Sequence, residues 1–252
     1  MSNKPRWLFC ISLSLILSFV LNISARANTD PVELITNGNF ATGTLAGWIE
    51  ADQAGGSGSW FVSSSTTSPL SLNTTPGPFP GDSSYAVTDQ IGPGSHVLLQ
   101  NFTVPIDTTS LLLTFHMFSD DRDSGPFCPR PLDYTISPNQ CARVDILTGA
   151  AGAFDTGAGV VTNLYKTATL AGGANPTNPW VPHSFDLTGL TPGDSYQLRF
   201  GEVDTQLFFQ QGVDDVRLLA TFNTPEPSSL LLFCTGLLSV AIVSSLRLRL
   251  QA

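Results

Sequence analysis

Charged side chains are scarce in this sequence of 252 residues, and basic side chains are the scarcest of all. The four charged residue types make up 12% of the chain, about half the share in an ordinary soluble domain. Only 11 residues are Lys or Arg, against 20 that are Asp or Glu. A nucleic-acid-binding surface needs clustered basic side chains against the phosphates, so this composition disfavours a nucleic-acid partner. The hydrophobic fraction of 42% is sufficient for a buried core.

Residue patterns that carry catalysis are also scarce. The three histidines, His96, His116 and His183, lie far apart and lack the spacing of metal ligands, and we interpret His183 as a core or sub-surface residue. Gly81-Asp82-Ser83 and Gly193-Asp194-Ser195 superficially resemble the nucleophile motif of one esterase class, but turn sequences precede both and no Asp-x-x-His follows. The sequence therefore predicts a protein without enzymatic activity, and a secreted hydrolase is the least favoured alternative.

The first 27 residues have the pattern of a secretory signal peptide. Two basic residues precede an apolar run from Trp7 to Leu21, and Ala25-Arg26-Ala27 follows it with small residues at both positions that signal peptidase reads. We expect signal peptidase to remove residues 1–27 by cleaving before Asn28. An N-terminal membrane anchor is the weaker alternative, because the apolar run is short and polar residues follow it.

A second apolar segment follows Pro225-Glu226-Pro227 near the other end of the sequence. No charged residue lies between Pro227 and Leu246, and 20 helical residues at about 1.5 Å each span about 30 Å, the thickness of a bilayer's hydrocarbon core. Arg247 and Arg249 then close the segment, and the positive-inside rule places them in the cytoplasm. The sequence predicts a single transmembrane helix over about 229–246.

Residues 223–252 resemble the PEP-CTERM sorting signal, through the Pro-Glu-Pro motif, the membrane helix and the basic tail. The tail Arg-Leu-Arg is less compact than the usual basic cluster. The resemblance implies that exosortase, a membrane-embedded cysteine peptidase, recognises Pro225, Glu226 and Pro227, with Arg247 and Arg249 as the stop. It also implies a Gram-negative bacterium that secretes exopolysaccharide. The protein would be exported through the inner membrane, anchored there by its helix until processing, and then released to the cell surface or extracellular matrix.

The exported domain, residues 28–222, is strongly acidic. It holds six basic and 19 acidic side chains, a net charge of −13. Such a domain repels polyanions and can recruit divalent cations, and the same charge also serves solubility outside the cell.

Only two cysteines, Cys128 and Cys141, lie in the exported domain. In an oxidising compartment we expect them to form a disulfide, which would contribute about 3 kcal/mol by closing a short loop. The enclosed segment 129–140 contains three prolines and no apolar period, so it is predicted to be a loop.

Hydrophobic alternation with period two dominates the rest of the domain. In Leu111–Phe118, Leu111, Leu113, Phe115 and Met117 point to one face and the intervening residues to the other. Similar segments, separated by Gly- and Pro-containing turns, recur about ten times, and no convincing helical stripe occurs between them. The sequence predicts an all-β domain folded as a β-sandwich.

The start and end of this domain resemble jelly rolls of the carbohydrate-binding-module type. The resemblance rests on Asn37-Gly38-Asn39-Phe40 with Gly47-Trp48, and on the closing segment Gly212–Val216. It implies a jelly-roll β-sandwich that often holds a structural calcium ion, bound by an acidic residue after the opening Phe and by the closing Asp. This chain has Ala41 at the first position, so Asp215 remains as the candidate calcium ligand and no other cofactor is expected.

Asp120, Asp121 and Asp123 follow the Leu111–Phe118 segment and could chelate calcium, but a solvent-exposed strand end is the favoured interpretation.

Aromatic side chains in loops are the remaining candidates for ligand binding, because their faces pack on the C–H surfaces of sugars. We interpret Trp48 and Trp60 as core residues. Tyr134 in the cysteine-flanked loop is the most exposed by context, and with Arg130 and Asp133 it forms a candidate sugar site. The predicted function is a non-enzymatic surface or extracellular-matrix protein associated with exopolysaccharide, and a dedicated carbohydrate-binding module is the alternative.

Overall fold

The computed structural model describes residues 30–121, 131–167, 179–206, 208–222 and 235–240. The chain divides into one unit of residues 31–222 and a second of residues 1–30 and 223–252. In the second unit a helix is described over 235–240, inside the predicted span 229–246. Across the described ranges, no helix combines the length and the apolar character that crossing a membrane requires. The predicted signal peptide and the rest of that span lie outside the described residues.

The unit 31–222 is built of β-strands, as the hydrophobic alternation predicts. The eleven described strands are β1 (Val32–Glu33), β2 (Ile49–Asp52), β3 (Ser59–Ser63), β4 (Tyr85–Asp89), β5 (Gly94–Thr103), β6 (Thr108–Asp121), β7 (Cys141–Thr148), β8 (Val160–Lys166), β9 (Val181–Asp186), β10 (Ser195–Asp204) and β11 (Phe209–Phe222). The described part of the 129–140 segment, from residue 131 onward, contains no strand and is a loop, as predicted.

The strands form two antiparallel sheets with jelly-roll connectivity. Sheet A has the order β3-β4-β11-β6-β9, with β1 also pairing with β11, and sheet B has the order β2-β5-β10-β7-β8. From β4 to β11 the chain alternates between sheets A and B, except that β7 and β8 are neighbours in sheet B. The four-stranded cores β4-β11-β6-β9 and β5-β10-β7-β8 are therefore the two sheets of a jelly roll, which confirms the predicted fold class.

The core lies between the two sheets and is formed by alternate side chains of each strand. On β6 the buried set contains Leu111, Leu113, Phe115 and Met117, as the alternation predicts. Trp48 and Trp60 are also buried in it, which confirms their interpretation as core residues. Burial of each large apolar side chain contributes about 1.5–3 kcal/mol.

A second, smaller core covers the outer face of sheet B. Val97, Leu99, Leu147 and Val203 point outward there and are buried under the segments 131–139 and 149–157. This face is therefore closed, and it offers no open platform for a ligand.

A buried charge cluster holds one of these covering segments in place. Asp145 accepts hydrogen bonds from Arg143 (Nη2–Oδ1 2.7 Å) and Arg199 (Nη2–Oδ2 2.6 Å), and all three side chains are buried. Arg199 Nη1 also donates to the carbonyls of Ala153 and Asp155 at 2.7 and 2.6 Å. Although burial opposes it, the two guanidinium groups lower the pKa of Asp145. The buried carboxylate of Asp145 is therefore fully compensated by charged partners within the protein.

The opening and closing segments that carry the resemblance meet in the structure. The amide of Val216 donates to the carbonyl of Gly38 at 2.9 Å, and the indole Nε1 of Trp48 donates to the carbonyl of Asn37 at 3.2 Å. A Cβ atom at Gly38 would lie 1.9 Å from the Val216 carbonyl oxygen, so this approach requires glycine.

Candidate functional site

An open cleft of about 460 Å³ lies at one end of the sandwich, and we call it the loop-end cleft. The residues that line it include Leu70, Gln90, Ile91, Asp204, Gln206 and Phe208. They meet because β4 and β10 end here and β5 and β11 begin here, so the connecting turns converge. The cross-strand pairing of Gly94 with Asp204 fixes this arrangement in sheet B.

One wall of the cleft is held rigidly by a buried carboxylate. Asp89, the last residue of β4, accepts hydrogen bonds from the amides of Leu70 (2.5 Å) and Ser71 (2.9 Å), from the Ser71 hydroxyl (2.5 Å) and from Gln210 Nε2 (2.9 Å). Asp89 is fully buried. A wall fixed in this way loses little conformational freedom when a ligand binds.

Gln90 and Asp204 form the floor of the cleft, and Glu202 is buried against Gln90 outside the lining. Gln90 Nε2 donates to Glu202 Oε1 at 2.8 Å and to Asp204 Oδ2 at 3.2 Å, and all three side chains are buried. Burial, reinforced by the neighbouring Asp204, raises the pKa of Glu202 well above its usual value. Burial likewise raises the pKa of Asp204 to about 7.

Buried oxygens in and beside this floor lack donors. Gln90 Oε1 and Glu202 Oε2 accept no hydrogen bond from the part of the chain that the structure describes. On the other side of Glu202 lies its cross-strand partner, His96, whose Nδ1 is 2.7 Å from Asp52 Oδ1. Gln90 lines the cleft, so the floor holds one buried acceptor that no described donor satisfies.

The rim of the cleft is apolar. Ile91 is 79% exposed at the turn between β4 and β5, and Leu70 and Leu72 are exposed on the facing segment. Leu72 adopts a left-handed backbone conformation, with φ of 56°, which is uncommon for a leucine. With half-buried Phe208 in the lining, the cleft combines apolar walls with a polar floor, as small-ligand sites do.

The loop predicted to bind sugar lies beside this cleft. Gln206, in the cleft lining, donates from Nε2 to the Ser137 hydroxyl at 2.9 Å. Tyr134 is half-buried, its hydroxyl donates to the Ala54 carbonyl at 2.9 Å, and its ring lies against Gly56.

Asp133 in the same loop is held by neighbouring donors. It accepts from Gln53 Nε2 at 2.8 Å and from the amide and hydroxyl of Thr135 at 2.9 and 2.7 Å, and these hydrogen bonds lower its pKa. Arg130 lies outside the described residues, and the sugar-binding role of Tyr134, Arg130 and Asp133 stays a prediction.

Asp215 lies at an irregularity of β11, between the residues paired with β6 at Asp214 and Arg217. Its φ is 49°, and its carboxylate is 3.6 Å from His116 Nδ1. Burial raises the pKa of neighbouring Asp214 to about 7, and the charges of Asp82 and Asp215 act in the same direction. Over the described ranges, no three His, Cys, Asp or Glu side chains are grouped to hold a metal ion. Calcium at Asp215 stays a prediction.

The acidic residues at the end of β6 lie in a different environment from the one that the sequence predicts. The expectation of a solvent-exposed strand end is wrong for Asp120 and Asp121, because β6 continues to Asp121 and both side chains are buried. Asp121 Oδ1 accepts a hydrogen bond from Gln140 Nε2 at 3.1 Å. Asp123 lies outside the described residues.

The histidines and the serine motifs are engaged in packing. His116 stacks on Phe79 with ring centroids 3.6 Å apart, and half-buried His183 stacks on Phe115 at 4.9 Å, a sub-surface position as interpreted. Burial lowers the pKa of His183. The hydroxyl of Ser195 lies 2.8 Å from that of Thr103.

The predicted disulfide and the predicted sorting signal both involve residues outside the described ranges. Cys141 is buried at the start of β7, but Cys128 lies outside the described residues, so the disulfide stays a prediction. The sorting residues Pro225, Glu226, Pro227, Arg247 and Arg249 also lie outside the described residues.

The residues of the cleft floor were not identified from the sequence, although a signal for them exists. On β10, Tyr196, Leu198 and Phe200 alternate toward the core, and continuing that period places Glu202 and Asp204 on the same face. Two acidic residues that continue an apolar alternation indicate a buried polar site.

Comparison with solved structures returns β-rich domains of low identity. The chain is 8% identical to the enzymatically active domain of tailspike protein 4 of bacteriophage CBA120 (TM-score 0.44), covering 75% of this chain and only 21% of that one. It is 12% identical to TmCBM61 in complex with β-1,4-galactotriose (TM-score 0.45; 75% and 99% covered). It is 17% identical to the Stig cyclase Fisc from Fischerella (TM-score 0.44; 77% and 100% covered). At these scores the likenesses carry no argument about function.

Comparison with protein families and curated proteins places one segment of the chain. No curated protein matches the sequence. Residues 223–247 match the PEP-CTERM protein-sorting motif, which confirms the resemblance inferred from Pro225-Glu226-Pro227 and the segment that follows it. The chain therefore carries a PEP-CTERM sorting motif, which implies an exported protein that exosortase processes.

Proposed function

We propose that this chain is a non-enzymatic protein of the cell surface or extracellular matrix whose jelly-roll domain associates with exopolysaccharide. The observation that carries the proposal is the PEP-CTERM motif at residues 223–247, because the motif implies sorting by exosortase. Signal peptidase would remove residues 1–27 during export, and the predicted helix at 229–246 would hold the protein in the inner membrane until exosortase acts.

The loop-end cleft supports association with a glycan. Its volume of about 460 Å³ falls in the range of small-ligand sites. Ile91, Leu70 and Phe208 supply apolar surface for the C–H faces of sugar rings, and Gln90 and Gln206 supply polar groups for hydroxyls. The same cleft favours a dedicated carbohydrate-binding module as the second candidate function.

The contacts of the catalytic residue types support a non-enzymatic role. His96 is fully buried beside Asp52, and His116 and His183 stack on phenylalanine rings. Glu202 is fully buried and shares Gln90 with Asp204, so it does not present a free carboxyl group to the cleft. A general acid must reach the atom that it protonates.

Sorting is tested by the mass and location of the protein in its host. In a strain that lacks exosortase we expect a larger form, retained in the inner membrane, compared with the parent strain. Mass spectrometry of both fractions gives the cleaved bond. An identical mass and location in the two strains would contradict the sorting step.

Glycan association is tested by retention on the host's own exopolysaccharide. We expect Ile91→Ala to weaken retention, because Ile91 forms the rim of the cleft. Ile106→Ala is the matched control: Ile106 is 73% exposed, close to the 79% of Ile91, but it follows β5 at the opposite end of the sandwich. Equal loss in both variants, or no retention of the wild type, would overturn the proposal. Tyr134→Ala tests the neighbouring loop in the same assay.

A further inference from the structure

The floor of the loop-end cleft is short of hydrogen-bond donors. Gln90 Nε2 is shared between Glu202 and Asp204, whereas Gln90 Oε1 and Glu202 Oε2 have no donor among the described residues. Gln90 is at least nine-tenths buried and lines the cleft. A buried acceptor without a donor is unfavourable, so a ligand that brings a donor to Gln90 Oε1 removes that cost.

Positive charge is also missing from this site. Of the described residues that line the cleft, none is Lys, Arg or His. Two basic side chains in the same domain, Arg143 and Arg199, are committed to Asp145 on the outer face of sheet B. The cleft lining therefore includes one carboxyl group, that of Asp204, and no basic side chain among the described residues of the lining faces it.

We propose that the loop-end cleft binds a protonated primary amine carried on a sugar ring, so that the ligand is a polysaccharide with free amino groups. An ammonium group brings three N–H donors and one positive charge, which match the unpartnered oxygen of Gln90 and the carboxylate of Asp204, two residues of the cleft lining. The proposal rests on the exopolysaccharide association proposed above and names its ligand class.

The surroundings of the floor favour an organic cation over a metal ion. Calcium takes six to eight oxygen ligands, and the described residues contain no group of three acidic, histidine or cysteine side chains placed to hold a metal. The cleft is also far larger than an ion, at about 460 Å³. Its rim, formed by Leu70, Ile91 and Phe208, offers apolar surface for the ring that carries the amine.

The net charge of the whole exported domain also favours a ligand that carries amines. With a net charge of −13, the exported domain repels polysaccharides that bear carboxylate or sulfate groups and attracts polysaccharides that bear amines. Long-range attraction and the local donor deficit at Gln90 therefore favour the same ligand class.

The test is calorimetric titration of the protein purified from its host with two tetramers of equal length. One is β-1,4-linked glucosamine, with free amines, and the other is β-1,4-linked N-acetylglucosamine, in which the amines are acetylated. We expect the glucosamine tetramer to bind at least tenfold more tightly. Asp204→Asn should remove this preference, and Asp194→Asn should keep it, because Asp194 is an exposed carboxylate in the turn before β10 at the opposite end of the sandwich.

Equal affinity for the two tetramers, binding of neither, or a preference that survives Asp204→Asn would overturn the inference. Titration with calcium in the absence of sugar is a further test. Calcium binding that depends on Asp204 would assign the oxygens of the cleft floor to a metal ion and would also overturn the inference. Retention on host exopolysaccharide separates the two proposals. If the wild type is retained on exopolysaccharide but does not prefer the glucosamine tetramer, the exopolysaccharide association stands and only the ligand class is overturned. If the wild type is neither retained nor selective for amines, both proposals are overturned.

Discussion

Two buried acidic regions of this domain, the Asp145 cluster and the floor of the loop-end cleft, have opposite electrostatic character. Asp145 lies between two guanidinium groups, which lower its pKa in spite of burial. Asp204 is buried to a similar degree, and burial raises its pKa to about 7 because no described cation compensates. Burial alone therefore does not distinguish a structural carboxylate from a binding one, whereas the partners do. The first region is complete within the protein, and the second is open to a ligand.

The largest effect is expected from Asp145→Asn. This substitution leaves Arg143 and Arg199 buried without their counter-charge, which costs about 3–5 kcal/mol of the free energy of unfolding. Chemical denaturation of the variant measures the loss. Asp194→Asn, an exposed carboxylate, is the control and should change the value by less than about 0.5 kcal/mol. Similar small changes in both variants would remove the distinction between the two regions.

The same substitution at Asp204 is expected to have the opposite sign. Asn at this position removes a buried negative charge, and its side-chain oxygen can still accept the hydrogen bond that Gln90 Nε2 donates to Asp204. At pH 8 we expect the free energy of unfolding to rise by about 1.4 kcal/mol or more, the equivalent of one pKa unit. Destabilisation by Asp204→Asn would show that the floor is complete without a ligand.

The fold follows from the sequence more directly than the site does. Period-two alternation reports which side chains share a face, and for this reason the segment around Leu111–Phe118 is correctly identified as a strand. Alternation does not report where a strand ends. The strand predicted from the alternation therefore ends at Phe118, and the sequence wrongly places Asp120 and Asp121 in solvent, although β6 includes both and buries them.

The site depends on contacts between distant parts of the chain. Tyr134 is half-buried because the segment 53–56, about 80 residues earlier, packs against it, and no local pattern encodes that contact. Gln90 reaches Glu202 across 112 residues of sequence. Strand pairing brings these residues together, and pairing partners follow from the topology rather than from local spacing.

A moderate effect is expected from pH. The pKa values of Asp204 and Asp214 rise from 3.8 in the unfolded chain to about 7 in the fold. Between these values the unfolded chain has already lost protons that the folded domain retains, so the contribution of these two groups to stability is greatest below pH 4 and decreases as the pH rises to about 7. Asp204→Asn and Asp214→Asn should each make this decrease smaller, as measured by urea midpoints at pH 5 and pH 8. Unchanged slopes in both variants would contradict the raised pKa values.

The smallest effect on stability is expected at the rim. Ile91→Ala and Ile106→Ala each change an exposed side chain, so both should alter the free energy of unfolding by less than about 0.5 kcal/mol. Denaturation of both variants checks this value. A large loss in Ile91→Ala alone would mean that Ile91 stabilises the fold, and its effect on glycan retention would then have a structural cause.

Amide hydrogen exchange of the wild-type protein, with and without host exopolysaccharide, tests the contrast between the two regions most directly. If the loop-end cleft is the open region, protection should increase at the described residues that form it, in the segments 70–73 and 90–92 and at Gln206 and Phe208. The segment 143–155, which contains the Asp145 cluster, should exchange as before. Increased protection confined to 143–155, or no change in any of these segments, would contradict the account.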